Sequence, residues 1–232
     1  MIKPFTIEEC QQIAAKCYAR LYQFQQTNFF ESTGANLFGW RDERRVLDGD
    51  RFDFSIKKFF YGHTASSLSL AGWRVTSSPR FRDLFPSTLD IDVYILQQVD
   101  ADNVVVYREI HSADGLLVEK TMFLTSRIRI DNGYINLFQS VDPTGRLADA
   151  AEREPQSESA SALDVKLRKE PKVVWRALLS WAVFEEAGEN AEHCMFKFGG
   201  MVPSNSAVWM FEILLIVLRW ENLVIGPVFS IC

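Results

Sequence analysis

The chain has 232 residues, with 30 Asp and Glu against 25 Lys and Arg and a formal net charge of −5. That length makes one large domain or two small ones and can bury roughly 70% of the unfolded surface, enough for a core without disulfide or metal staples. A composition that is 47% apolar and 24% charged excludes a disordered chain, and the acidic excess excludes a polybasic nucleic-acid binder. The aromatic fraction is high, at 13% with 18 Phe and 6 Trp, and needs a large core or a lined pocket to hold it.

Four cysteines, Cys10, Cys17, Cys194 and Cys232, form no CxxC pair, so neither a zinc ribbon nor a redox motif is supported. On one helix Cys10 and Cys17 would lie about 10 Å apart, too far for a disulfide. All four read as small buried apolar residues in a reducing compartment. The opening MIKPFTIEECQQ lacks an apolar core and carries Glu8 and Glu9, unlike a signal or transit peptide. The most apolar run, 207–218, is interrupted by Glu212 and followed by Arg219, short of the roughly 20 residues that span a bilayer. A cytoplasmic location is expected.

Ile7, Cys10, Ala14, Cys17, Leu21 and Phe24 recur at helical steps, so an N-terminal helix is predicted within 1–28, capped by Thr6. Residues 28–39 read as a loop. Val46 and Leu47 lead to a hairpin turn at Asp48-Gly49-Asp50, after which Phe52, Phe54 and Ile56 alternate with polar residues in a half-buried strand. A short helix is expected over 64–73 and a helical turn over 79–85. Strands over 92–99, 104–111, 116–130 and 134–141 follow, with Asn132-Gly133 the clearest hairpin turn. They form an antiparallel meander, since no helix between them is long enough for a crossover. The segment 145–171 is rich in Glu, Ser and Ala and reads as a mobile polar excursion. Two more strands are expected, over 173–185 and 192–198. Pro203-Ser204-Asn205-Ser206 then caps a last helix over 207–223 that stops at Gly226-Pro227. That helix is apolar nearly all round and should be covered on most sides. The fold class is α+β, with a curved antiparallel sheet around a long C-terminal helix.

In their order and spacing these stretches resemble the START domains, lipid-binding domains of helix-grip fold. YILQQVDADNVVVY (94–107) is similar to that family's strand-turn-strand, and DNGYINLFQSVDP (131–143) to its "dg" turn and "SvdhP" strand. FGGMVP (198–203) resembles the "GG-iP" turn before the last helix, and GHTASSLSLAG (62–72) the early short helix. The likeness covers about 40–229, so 1–232 is taken as a single START-like domain. One departure is Lys120-Thr121 where the family often has Arg-Asp. The resemblance implies an apolar tunnel between the sheet and the last helix, holding one lipid or sterol.

No GxSxG, HExxH, GxGxxG or P-loop pattern occurs, so no catalytic residue, cofactor or metal ligand is assigned. His63, His111 and His193 lie far apart in sequence, at expected strand ends or turns. Glu212 stands in the most apolar helix, with Arg219 on the same face. It reads either as a polar anchor for a ligand or as the partner of a strand arginine. Arg108, Arg127 and Arg129 read as a solvated outer face; any that points inward is that partner, and Arg127 is included among the candidates. Trp209, Phe211 and Leu215 on the helix, with Trp181 and Phe196 on neighbouring strands, line a tunnel or fill a solid core. Trp220 and Glu221 read as structural, closing the last turn onto the sheet. The leading expectation is non-enzymatic binding of one lipid or sterol-like ligand, used for transfer or sensing, with transient membrane contact and no nucleic-acid partner. The loops 66–72 and 203–206 are the candidate gates. Two alternatives stand beside it: a helix-grip enzyme of cyclase or hydrolase type, and an interaction module with a closed cavity.

Overall fold

A computed structural model describes residues 2–26, 31–47, 51–147, 170–202 and 208–227. Helix α1, Ile7–Gln25, starts in a capping box: the Thr6 hydroxyl accepts from the Glu9 amide, and the Glu9 carboxylate accepts from the Thr6 amide. Cys10, Ala14, Cys17 and Leu21 form its buried stripe, as the periodicity predicts, while Ile7 at its start is exposed.

The strands are β1 (Asn36–Leu37), β2 (Trp40–Leu47), β3 (Arg51–Phe60), β4 (Asp90–Gln98), β5 (Asn103–His111), β6 (Leu117–Ile130), β7 (Gly133–Ser140), β8 (Lys172–Trp175), β9 (Leu179–Ala187) and β10 (His193–Val202). They join one open sheet in the order β1-β2-β3-β10-β9-β7-β6-β5-β4. The β4–β7 run is the expected meander. At Gly133 φ is +131°, and a Cβ there would lie 1.9 Å from the Phe184 carbonyl oxygen, so only glycine fits this turn.

The single strand expected over 173–185 is two. β7 begins to pair with β6 only at Phe123, which leaves Leu117–Lys120 free to pair with β8, the one parallel ladder among the described residues. The Arg176 amide then donates to the Lys120 carbonyl. The Leu178 carbonyl accepts from the Ser140 amide, which hands the chain across to β7, where β9 pairs. The two-residue β1 lies where a loop was expected. The turn at 48–50, the caps at 203–206 and most of the excursion (148–169) lie outside the described residues.

Strand alternation separates two faces. On the outer face, Ile135, Leu137, Trp181 and Val183 pack against the α1 stripe, and Val105, Met122 and Leu124 pack around Phe5 and Cys10. The inner face carries the main core. Phe54, Ile56, Val106, Phe123, Phe184 and Phe196 lie there against α2 (Ala65–Thr76), a 3-10 turn (Pro79–Leu84) and α3 (Val208–Val224). Cys10, Cys17 and Cys194 are free and buried. Burial pushes their thiols up, to about 11, 12 and 12. Cys232 lies outside the described residues. Among those residues no helix is long and apolar enough to cross a membrane.

Candidate ligand cleft

The geometry of the inner face is set by how α3 sits on it. Ile213, Val217, Trp220 and Glu221 are the buried stripe of the helix, at steps of three and four residues. Trp220 stacks on Phe196 with ring centroids 4.4 Å apart and planes 16° from parallel. A Cβ on Gly72 would lie 3.0 Å from the Trp220 ring nitrogen, so a glycine in α2 permits this close approach.

Beside Trp220 lies a buried charge. The Glu221 carboxylate accepts a 2.8 Å hydrogen bond from the indole Nε1 of Trp40 and forms an ion pair with Lys58. The Lys58 ammonium also lies 5.2 Å from the Phe60 ring centroid and 5.6 Å from that of Trp40. A carboxylate inside an aromatic core is tolerable only when it is paired and hydrogen-bonded, and Glu221 is both. These contacts pin the C-terminal half of α3 to β2 and β3.

Toward its N-terminal end the helix presents Phe211 and Leu214 to a hollow beside β1–β3. A cleft of about 330 Å³ opens there, walled by Leu37, Trp40 and Ile56 on the sheet side and by Phe211 and Leu214 on α3. Thr33, Arg41, Asp42 and Arg44 are its polar lining. Asp42 and Arg44 share the inner face with Trp40 because β2 alternates. Both Asp42 oxygens accept from Thr33, one from the hydroxyl at 2.5 Å and one from the amide at 3.2 Å. The Nε of Arg44 is buried and has no hydrogen-bond partner.

The expected site residues scatter. Phe211 lines the cleft although it is 70% exposed. Glu212 and Leu215 are also exposed, so α3 is bare along one side while most of its other described positions are buried or partly buried. The physical reason is that the core fully buries only the stripe Ile213, Val217, Trp220 and Glu221 and partly covers Leu214, Ile216 and Leu218 beside it. Arg219 is half-buried, and the side chain of Trp209 lies outside the described residues. Trp181 points to the opposite face of the sheet, where it meets Phe24 of α1 edge-on at 4.8 Å, so it does not face α3. Phe196 is in the solid part of the core.

The three strand arginines do face inward. Arg127 donates from Nε to the Ser69 hydroxyl at 3.0 Å and lies 4.4 Å over the Tyr134 ring. It is thus tied to α2 and not to Glu212. Arg129 donates to the Tyr134 hydroxyl at 2.8 Å. Arg108 donates to the Thr121 hydroxyl at 3.3 Å and lies 5.8 Å from the Phe85 ring, with its Nε buried and unpartnered. Burial lowers its guanidinium to about 10. The reading of Arg108 and Arg127 as a solvated outer face is therefore corrected, whereas Arg129 shares their side of the sheet but is solvent-exposed.

Sequence reasoning passed over Trp40 and Arg44 altogether and gave Glu221 a lesser role than Glu212. A signal for Glu221 was present: it stands four residues after Val217, on the stripe that starts at Ile213, whereas Glu212 lies off it. Among the histidines, His193 accepts from the Gly62 amide at 3.1 Å. His111 sits 3.8 Å from both Asp92 and Glu109, and these three bring ligand-capable atoms within 4.8 Å of one another. Glu109 is already bound by Lys120 at 2.7 Å and by the Tyr107 hydroxyl, so the group is a surface charge network.

An open antiparallel sheet with an N-terminal helix behind it and a C-terminal helix against its inner face is the helix-grip fold of START domains. The sequence matches no family model and no curated protein. Solved structures match the fold over nearly the whole chain. Human StAR-related lipid transfer protein 5 is 10% identical, with a TM-score of 0.56 over 94% of this chain and 97% of its own. Human STARD10 is 11% identical, with a TM-score of 0.54 over 95% of this chain and 81% of its own. A STAR-related lipid transfer protein from Xanthomonas axonopodis is 10% identical, with a TM-score of 0.51 over 85% of this chain and 93% of its own.

Proposed function

We propose that this protein binds one lipid or sterol-like apolar ligand without chemical turnover, for transfer or sensing, in the space between α3 and strands β1–β3. The observation that carries the reading is the apolar cleft of about 330 Å³ at the N-terminal end of α3. Its volume falls within the range of about 300–1,000 Å³ common for small-molecule pockets. Its walls are aromatic and aliphatic with few polar groups, as such pockets are. Removing about 400 Å² of apolar ligand surface from water would contribute on the order of 10 kcal/mol before association costs. The fold agrees, since two of the similar structures are named as lipid transfer proteins.

Exposed apolar side chains support membrane contact at the same place. Leu37 and Phe211 line the cleft and are 41% and 70% exposed, and Phe38 and Leu215 beside them in sequence are exposed as well. A rim of this kind gives an apolar ligand a low-cost path from a bilayer surface into the cleft. Exchange then requires the unpinned N-terminal half of α3 to move, while the half held by Trp220 and Glu221 stays in place.

The test is native mass spectrometry of the purified protein, before and after incubation with a mixed panel of lipids and sterols. One bound apolar molecule per chain, lost when Leu214→Glu puts a charge into the cleft wall, is the expected result. A clean apo mass with no uptake from the panel would overturn the reading and favour an interaction module whose cavity is closed.

A further inference from the structure

We propose that the ligand of this cleft is a single-chain amphiphile carrying a carboxylate, and that Arg44 is the residue that receives it. This rests on the lipid-binding reading above and adds the chemical class of the head group. The argument starts from what Arg44 lacks. A guanidinium has five N–H donors in a planar fork and remains charged in proteins. Arg44 lines the cleft, and its Nε is buried with no hydrogen-bond partner, although a buried unsatisfied donor is costly and uncommon. The neighbouring acid does not supply that bond. Asp42, two residues away on the same face, has both carboxylate oxygens engaged by Thr33. The outward neighbour Arg45 points to the other face of the sheet, away from the cleft, where its Nη2 pairs with Asp53. The inner face of β2 thus presents an arginine edge prepared for an acceptor that the protein does not provide.

A carboxylate fits that edge. Its two oxygens match the Nε–H and Nη–H of one side of a guanidinium as a bidentate pair. The rest of the cleft suits the tail of such a ligand. Leu37, Trp40, Ile56, Phe211 and Leu214 are apolar, and the volume of about 330 Å³ is near the lower end of the usual pocket range, suited to one chain. Arg108 of β5 also has a buried, unpartnered Nε, but it faces Phe85, just after the 3-10 turn, and Thr121 of β6, and is not in the wall of this cleft.

The experiment is calorimetric titration of the full chain with oleate, oleyl alcohol and cholesterol, each below its aggregation concentration, for the unaltered protein, Arg44→Met and Arg108→Met. The expected result is that oleate binds at least tenfold tighter than oleyl alcohol, as a charge-assisted hydrogen bond allows. Arg44→Met should abolish that preference while oleyl alcohol binding stays within about twofold, and Arg108→Met should leave the preference intact. Thermal melts verify that both variants are folded. Equal binding of oleate and the alcohol, or tighter binding of cholesterol than of oleate, would overturn the carboxylate proposal and leave the lipid-binding reading standing. Loss of the preference in Arg108→Met but not in Arg44→Met would place the anion elsewhere and overturn the assignment to Arg44. No binding of any of the three would overturn both readings together.

Discussion

The buried pair between Lys58 and Glu221 is the contact whose removal should most disturb the packing of α3. The two side chains are only 14% and 8% exposed, so solvent screens them little. Glu221→Ala leaves the Lys58 ammonium without its counter-charge and the Trp40 indole without its acceptor, in a core of Phe60, Phe196 and Trp220. Breaking one member of a buried pair typically costs about 3–5 kcal/mol. For a chain of this size that lowers Tm by roughly 6–20 °C. Glu221→Gln keeps an acceptor for Trp40 and should cost less. Replacing both members, as Lys58→Met with Glu221→Leu, removes the stranded charge and should recover most of the loss. Thermal melts by circular dichroism, analysed as a double-mutant cycle, read all of this directly. A Tm change below about 2 °C for Glu221→Ala, or a double variant as unstable as the sum of the singles, would refute the view that this pair pins α3.

Phe196→Ala removes the ring that stacks on Trp220 at 4.4 Å, and should destabilise the fold by about 3–5 kcal/mol in denaturant titration, with near-ultraviolet dichroism lost in the tryptophan region. Gly133→Ala forces a Cβ to within 1.9 Å of the Phe184 carbonyl at φ +131°, so it should cost more than about 1 kcal/mol and shift the β6–β7 register, read by amide exchange at Ile128 and Ile135. Glu109 gives a pH signature. Burial on its own would raise its carboxyl, but the hydrogen bonds from Lys120 and Tyr107 outweigh this and hold it below the ordinary value. A carboxyl depressed in the folded state contributes stability above its unfolded value of about 4.3, and that stability is lost as pH falls through the folded value. Glu109→Gln should therefore flatten the fall in Tm as the pH drops below about 4.3; an unchanged acid limb would show that the group is not depressed.

Much of the fold was legible because the strongest signals are local. The α1 stripe, the Asn132-Gly133 turn and the alternation in β3 depend on neighbours within a few residues, and each appears where periodicity places it. The split of 173–185 into β8 and β9 was not legible, because it is decided by the vacancy beside Leu117–Lys120, some fifty residues away. The facing of single side chains had the same weakness. Trp181 and Phe196 are both aromatic residues on adjacent strands, and only the register of β9 against β10 sends one toward α1 and the other toward α3. The arginines were misread for a related reason. Arg127 and Arg129 alternate with Ile128 and Ile130, and a strand with apolar residues at both parities has no outer face that composition alone can name.

The two halves of α3 explain why its composition misled. A helix apolar nearly all round is normally covered on most sides, yet Phe211 and Leu215, nine and five residues before the buried Trp220, are exposed. Packing strength along the helix is therefore uneven. The C-terminal half holds a stacked ring pair, an ion pair and an indole hydrogen bond, whereas over Phe211–Leu215 only Ile213 is fully buried, Phe211 and Leu214 line the cleft, and Phe211, Glu212 and Leu215 are exposed. If the apolar surface around Phe211 served only the fold, it would lie against the sheet, as Ile213 and Val217 do. Its placement at the mouth of a cleft, opposite the exposed Leu37, gives that surface a partner only when something apolar occupies the cleft or presses against its rim. The buried stripe of the helix holds the fold, and its exposed apolar side is the surface that the proposed ligand binding and membrane contact would use.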